Sequence, residues 1–283
     1  MVQLRYVLMF AAVSVAMLAA ERTVDPTFLR RNIAEVKPAS VYVATDTCEY
    51  RPLFGEGDSV TSIPRGVARF GEITVKPGGS CKEAQFPNQE EIYVVLAGTG
   101  TLRAGDQKTS LVKDDFLYIP ARLTHTLANE GASPLRVIAA GYKLPANEPV
   151  TETAVLKANL EEVKKQTVGG HPDSVLYQLM MGDTKSTRDR IAAGHMMVSL
   201  YVMSFAPGGT NFPHHHDSEE EIYLLLDGKG DMVAGSGMNG VEARFPAKPG
   251  DAYFYRLNAT VGFYNAADGP SRILALRSTY PRR

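Results

Sequence analysis

His214, His216 and Glu221 are the residues of this 283-residue chain whose types and spacing point most directly to chemistry. The order is Gly208, five residues, His214, one residue, His216, four residues, Glu221, six residues, Gly228. Residues two apart on an extended segment point to the same side, so both imidazoles can enter one cavity while His215 turns away. A carboxylate from the start of the next strand completes three donors. Two neutral imidazoles with one carboxylate suit one divalent transition ion (Fe, Mn, Zn, Ni or Co) and leave coordination positions open for water and substrate. The ordinary alternative is a solvent-exposed loop cluster, against which the defined spacing between strand signals argues. Glu219 alternates onto the side of Glu221 and is a weak candidate for a general base.

Donors of this kind need a rigid frame, and the frame is written twice. Pro77-Gly78-Gly79-Ser80 recurs as Pro207-Gly208-Gly209-Thr210, and Glu90 to Leu96 recurs as Glu220 to Leu226, both at an offset of 130 residues. Asp115 to Asn129 matches Asp251 to Asn265 at an offset of 136, and the additional residues fall in the Gly- and Asn-containing stretch 235–246. Upstream, Leu29 to Ile33 resembles Leu156 to Leu160. The chain therefore reads as a duplication with halves at 25–147 and 148–283. Short aromatic and β-branched runs, stopped by Pro-Gly-Gly or Gly, predict strands at 70–75, 91–96, 116–119 and 135–139 and at their repeats. The predicted class is all-β, with helix confined to short leaders such as 159–165, for which Asn159 is a candidate N-cap.

With those residues in view, the chain resembles the cupin superfamily. Gly208, His214, His216, Glu221 and Gly228 reproduce its first motif, and the repeat implies a bicupin: two tandem jelly-roll β-barrels. The family's second motif carries Pro, Gly, His and Asn, its His being a fourth ligand. In the second half those positions hold Arg256, Asn258, Val261 and Asn265, so that ligand is missing. The first half has the reverse loss. Pro120, Arg122, His125 and Asn129 keep the second motif's histidine, whereas Gly78, Ala84, Phe86, Glu91 and Gly98 lack both paired histidines, and neither Gln85 nor Cys81 is a good replacement. Glu91 and His125 are thus the degenerate site, expected to hydrogen-bond to each other because an unpaired buried carboxylate is costly. His171 and His195 are the remaining imidazoles that could stand in for the ligand missing at Val261, with a surface or satisfied role as the default for each.

Alternation from Glu221 puts Tyr223 inward, and alternation from Val261 puts Phe263 inward, which predicts an aromatic-walled pocket around the ion. Ordinary barrel packing explains the same two rings. Arg256 and Asn258 are candidate donors to an anionic or oxygen-rich small molecule at the rim. The resemblance implies either a metal-dependent enzyme on a small organic substrate, of dioxygenase, isomerase or hydrolase type, or a non-catalytic sugar- or small-acid-binding protein. Germin-like and oxalate-degrading bicupins resemble the chain in architecture, but they use three histidines and a glutamate, a set that neither half supplies.

Thirty basic and 31 acidic residues leave a net charge of −1, which gives no support to a nucleic-acid-binding surface. In residues 1–20 Arg5 is the only charge before the apolar run Tyr6 to Leu18, which ends at Ala19 and Ala20. This is the pattern of a secretory signal peptide, too short for a comfortable membrane span. It predicts a secreted or periplasmic protein with no membrane span after cleavage, the alternative being an uncleaved N-terminal anchor. In an oxidising compartment Cys48 and Cys81 are compatible with a bridge and equally with two buried thiols. A homodimer formed through strand edges stays open.

Overall fold

The computed structural model describes residues 26–236 and 242–279. The apolar segment 1–20 lies outside them. The first half contributes β1 (Phe28–Asn32), β2 (Cys48–Gly55), β3 (Val67–Val75), β4 (Gln89–Ala97), β5 (Gly100–Ala104), β6 (Gln107–Leu111), β7 (Asp115–Ile119), β8 (His125–Ala128) and β9 (Leu135–Lys143). The second contributes β10 (Leu156–Asn159), β11 (Val175–Asp183), β12 (Ile191–Gly194), β13 (Met197–Phe205), β14 (Glu219–Asp227), β15 (Gly230–Ser236), β16 (Glu242–Ala247), β17 (Asp251–Tyr255), β18 (Ala259–Asn265) and β19 (Ser271–Thr279).

These strands make two tandem jelly-roll barrels, each a large sheet facing a three-stranded one. The first barrel sets β10-β7-β4-β9-β3-β2 against β6-β5-β8, and the second sets β1-β17-β14-β19-β13-β11-β12 against β16-β15-β18. Alternation decides what fills them. On β14 and β19, Tyr223, Leu225, Ile273 and Ala275 point into the second barrel, whereas Ile222, Leu224, Leu274 and Leu276 point out into an apolar layer shared with the first. Both faces are buried, so these strands read as nearly continuous apolar runs.

Each leader strand belongs to the sheet of the opposite half. β1 pairs antiparallel with β17, and β10 pairs antiparallel with β7. The same device pins both: Asn32 Nδ2 donates to Asp251 Oδ1 at 2.8 Å, and Asn159 Nδ2 donates to Asp115 Oδ1 at 2.9 Å. The helix expected over 159–165 is corrected here. Asn159 does cap a helical turn, with Glu162 closing a capping box, but the turn is a single 3-10 unit over Leu160–Glu162. The residues before it gain more hydrogen bonds by extending the open edge of β7 than a short isolated helix provides.

Cys48 and Cys81, both buried, form a disulfide that ties the start of β2 to the loop after β3. Gly98 and Gly228, the last residues of the repeated motif, have φ of 80° and 82° and lie so close to the Pro134 and Pro270 carbonyls that a Cβ does not fit. No helix among the described residues is long and apolar enough to cross a membrane.

Candidate metal centre

The ligand loop runs from the Pro207-Gly208-Gly209 turn to β14 and is stitched to β18. Asn211 is buried; its Nδ2 donates to the Tyr223 hydroxyl and its Oδ1 accepts the Phe263 N–H, both at 2.9 Å. His214 exchanges two backbone hydrogen bonds with Val261, and the His216 carbonyl accepts the Asn258 N–H. His214 Nδ1 lies 2.8 Å from the Phe212 carbonyl. A carbonyl can only accept, so Nδ1 carries the proton and Nε2 is left with its lone pair free for a metal. His215 turns outward toward Asp217. Glu221, the third residue of β14, is 1% exposed, and its Oε1 accepts the Tyr201 hydroxyl at 3.0 Å.

These three side chains converge. One donor atom from each of His214, His216 and Glu221 lies within 4.8 Å of the others. His216 Nε2 stands 3.2 Å from Glu221 Oε2, yet the two are not aligned as a hydrogen bond, and neither buried atom has another partner among the described residues. Orphaned polar atoms at this depth cost about 1–3 kcal/mol each, and a shared cation relieves both. Burial pushes the His214 imidazole down, toward its neutral form. For His216, burial also pulls down, but the Glu221 carboxylate outweighs it and holds the imidazole above its ordinary value. The Glu221 carboxyl is raised by burial, and more than compensated by His216, Arg277 and His214, so that it stays ionised. The residues present fit a divalent transition ion, which His214, His216 and Glu221 would hold.

Val261 is buried in the wall and meets His214 through its backbone alone. The His171 ring lies edge-on to His214 with centroids 5.2 Å apart, its Nδ1 donating to the Asn211 carbonyl, and it stands outside the three-residue group. His195 is elsewhere, between Glu148 and Glu152 of the segment joining the halves. Tyr223 and Phe263 are in the barrel interior. Arg256 turns toward the leader strand, donating Nη1 to the Pro26 carbonyl at 3.3 Å, and Asn258 is exposed in a left-handed turn with φ of 58°. Glu219 forms an ion pair with Arg277, Oε2 lying 3.0 Å from Nη1, and lies 3.9 Å from His216 Nδ1.

In the first barrel His125 Nε2 is 3.1 Å from Glu91 Oε2 and 3.1 Å from the Tyr93 hydroxyl, and its Nδ1 donates to the Leu123 carbonyl. A residue that sequence reading missed dominates this site. Arg69, 1% exposed, donates Nη1 to Glu91 and Nε to Glu56, and its guanidinium lies 4.5 Å from the centroid of Tyr42 and 3.9 Å from that of Phe86. Phe86 occupies the position of His216 in the repeat. A fixed cation stands beside Glu91, and the sequence signal for its inward position was available, because Arg69 shares the parity of Ile73 and Val75.

Comparison with known proteins agrees with this architecture. A segment of 89 residues is 36% identical to the mannose-1-phosphate guanylyltransferase of Klebsiella pneumoniae; it makes up 31% of this chain and only 18% of that protein. The putative glyoxylate-induced protein of Pseudomonas aeruginosa superposes with a TM-score of 0.72 at 14% identity, over 95% of this chain and 94% of its own. Lactobacillus farciminis oxalate decarboxylase, solved as a formate complex, superposes with a TM-score of 0.67 at 13% identity, over 92% and 88%. The cupin domain family matches residues 71–141 and 201–277, one stretch in each barrel and together more than half of the described strands' span. The duplicated barrels and these two matched segments place the chain in the cupin family.

Proposed function

We propose that the protein is an exported, metal-dependent enzyme acting on a small organic molecule, with one divalent transition ion on His214, His216 and Glu221 and no metal in the first barrel. The observation that carries the reading is the pair of orphaned atoms, His216 Nε2 and Glu221 Oε2, beside the free Nε2 of His214. Such an ion supplies Lewis acidity and, in the case of iron, dioxygen binding. The chain's own residues do the rest. Tyr201 and the Phe212 carbonyl orient two of the ligands, and the aromatic interior excludes water. Export is supported by the character of residues 1–20 and by the Cys48–Cys81 bridge, which suits an oxidising compartment.

Elemental analysis of the purified protein should find about one transition ion per chain, and close to none in His214→Ala. Metal that persists in that variant and disappears in His125→Ala overturns the assignment of the working barrel. A second reading, a binding protein for a sugar or small acid, is favoured by the first barrel, where Arg69 lets the same scaffold stand without an ion. Oxygen uptake with catechols, diketones and hydroxy acids after Fe(II) loading separates the two. Silence across that panel together with retained sugar affinity favours the binder.

A further inference from the structure

We propose that the second barrel takes a small organic acid, its carboxylate held by Arg277 and Ser199 beside the ion; this rests on the metal reading above. Arg277 on β19 is the direct cross-strand partner of Glu221 on one side and of Ser199 on the other. All three share the inward parity of Tyr223, Ala275 and Tyr201, so they form one row on the inner wall. Ser199 Oγ and Arg277 Nε are both buried without a hydrogen-bond partner among the described residues, in the same row as the orphaned Glu221 Oε2. Unsatisfied donors so placed are costly in an empty site and become recognition groups once a carboxylate reaches them.

The first barrel is an internal control. There the arginine of the row comes from the other strand: Arg69 on β3 faces Gly141 on β9, where a Cβ would meet Arg69 Nη1 at 2.7 Å. Its guanidinium is bound to Glu91 and Glu56 and covered by two rings, so its charge is already paired without a ligand. In the second barrel the glycine's counterpart is Arg277 and the arginine's counterpart is Ser199. The freed donors now stand beside a metal site instead of in place of one.

Charge points the same way. A divalent ion with Arg277, set against Glu219 and Glu221, would leave a net positive charge at the wall of the barrel, which an anion neutralises and a neutral sugar does not. The surrounding wall of Val261 and Phe263 is apolar, so polar recognition falls to the ion, Arg277, Ser199 and the Tyr177 hydroxyl, which is unpartnered among the described residues.

The test is calorimetric titration of the full protein, reconstituted with Mn(II), against glycolate and its neutral amide, glycolamide. Glycolate should bind at least about tenfold more tightly. Arg277→Met should remove that preference while Mn(II) content stays at one per chain, since deleting a positive charge does not weaken cation binding. Arg277→Lys should keep part of it, and Ser199→Ala should weaken glycolate several-fold with a thermal midpoint no lower than that of the wild type. Equal binding of the two probes, or glycolate binding unaltered in both Arg277→Met and Ser199→Ala, overturns the inference. If Arg277→Met does not fold, Ser199→Ala decides alone. A wild-type protein that retains no Mn(II) overturns the metal reading along with it, whereas one Mn(II) per chain without discrimination overturns the acid alone.

Discussion

Arg69 and Glu91 are both almost wholly buried and pair directly, with Glu56 as a further partner of the guanidinium and Tyr42 of the carboxylate. Taking one partner from such a pair removes the direct counter-ion of a charge in a poorly solvated interior. Arg69→Met should therefore cost about 3–5 kcal/mol in chemical denaturation, and adding Glu91→Gln to it should recover much of the loss. A cost below about 1 kcal/mol in the single variant would mean that the rings of Tyr42 and Phe86, and not the ion pair, hold this site together. The corresponding glutamate of the second barrel has no such arginine bonded to it. Glu221 has a tyrosine on one oxygen and two imidazoles around the other, a set that accepts a cation from solution.

At the scale of elements, loops carry the sites and strands aim them. In the first barrel the Cys48–Cys81 bridge closes a loop with a sequence separation of 33 residues. In the second barrel the repeat of Cys81 is Asn211, which fastens the ligand loop with hydrogen bonds to Tyr223 and Phe263 instead. Replacing both cysteines by serine should lower stability by about 4 kcal/mol from loop-closure entropy, without changing the metal content of the second barrel. The segment joining the halves has its own clasp, His195 held by Glu148 at 2.9 Å and Glu152 at 3.4 Å. Burial lowers the affinity of His195 for a proton, but the two carboxylates outweigh it and hold the imidazole above its ordinary value of 6.5. A group raised in the folded state contributes stability that is complete below about 6.5 and is lost as pH rises through the folded value. Thermal midpoints of the wild type should accordingly fall across that upper range, and His195→Gln should flatten the fall. An unchanged pH profile in the variant would refute the clasp.

For the whole molecule, the two barrels hold each other by reciprocal contacts. Glu220 of the second barrel accepts the backbone N–H groups of Arg65 and Gly66 in the first, and Glu90 of the first accepts those of His195, Met196 and Met197 in the second. The two sets are related by the 130-residue offset, so the interface behaves like that of a symmetric dimer joined into one chain. Glu220→Ala should cost about 1–3 kcal/mol for each amide left unpaired and should speed hydrogen exchange at Arg65 and Gly66. Unchanged protection there would assign the interface to the shared apolar layer, including the Phe54–Phe254 contact at 5.8 Å, and not to the carboxylates.

Duplication, strand content and the convergence of His214, His216 and Glu221 were legible in one dimension, because all three follow from local spacing: alternation along a strand, a Pro-Gly-Gly turn, and a motif repeated at a constant offset. The exchange of β1 and β10 between barrels was not, since a short polar leader carries no record of which distant edge it will pair with, and its local preference reads as a helix start. Parity along the strand marks Arg69 as inward, but spacing does not expose what Arg69 or Arg277 meets there. Which charge each arginine meets depends on cross-strand register, set by residues more than 70 positions away in the case of Gly141 and Arg69, and only the closed barrel brings them together.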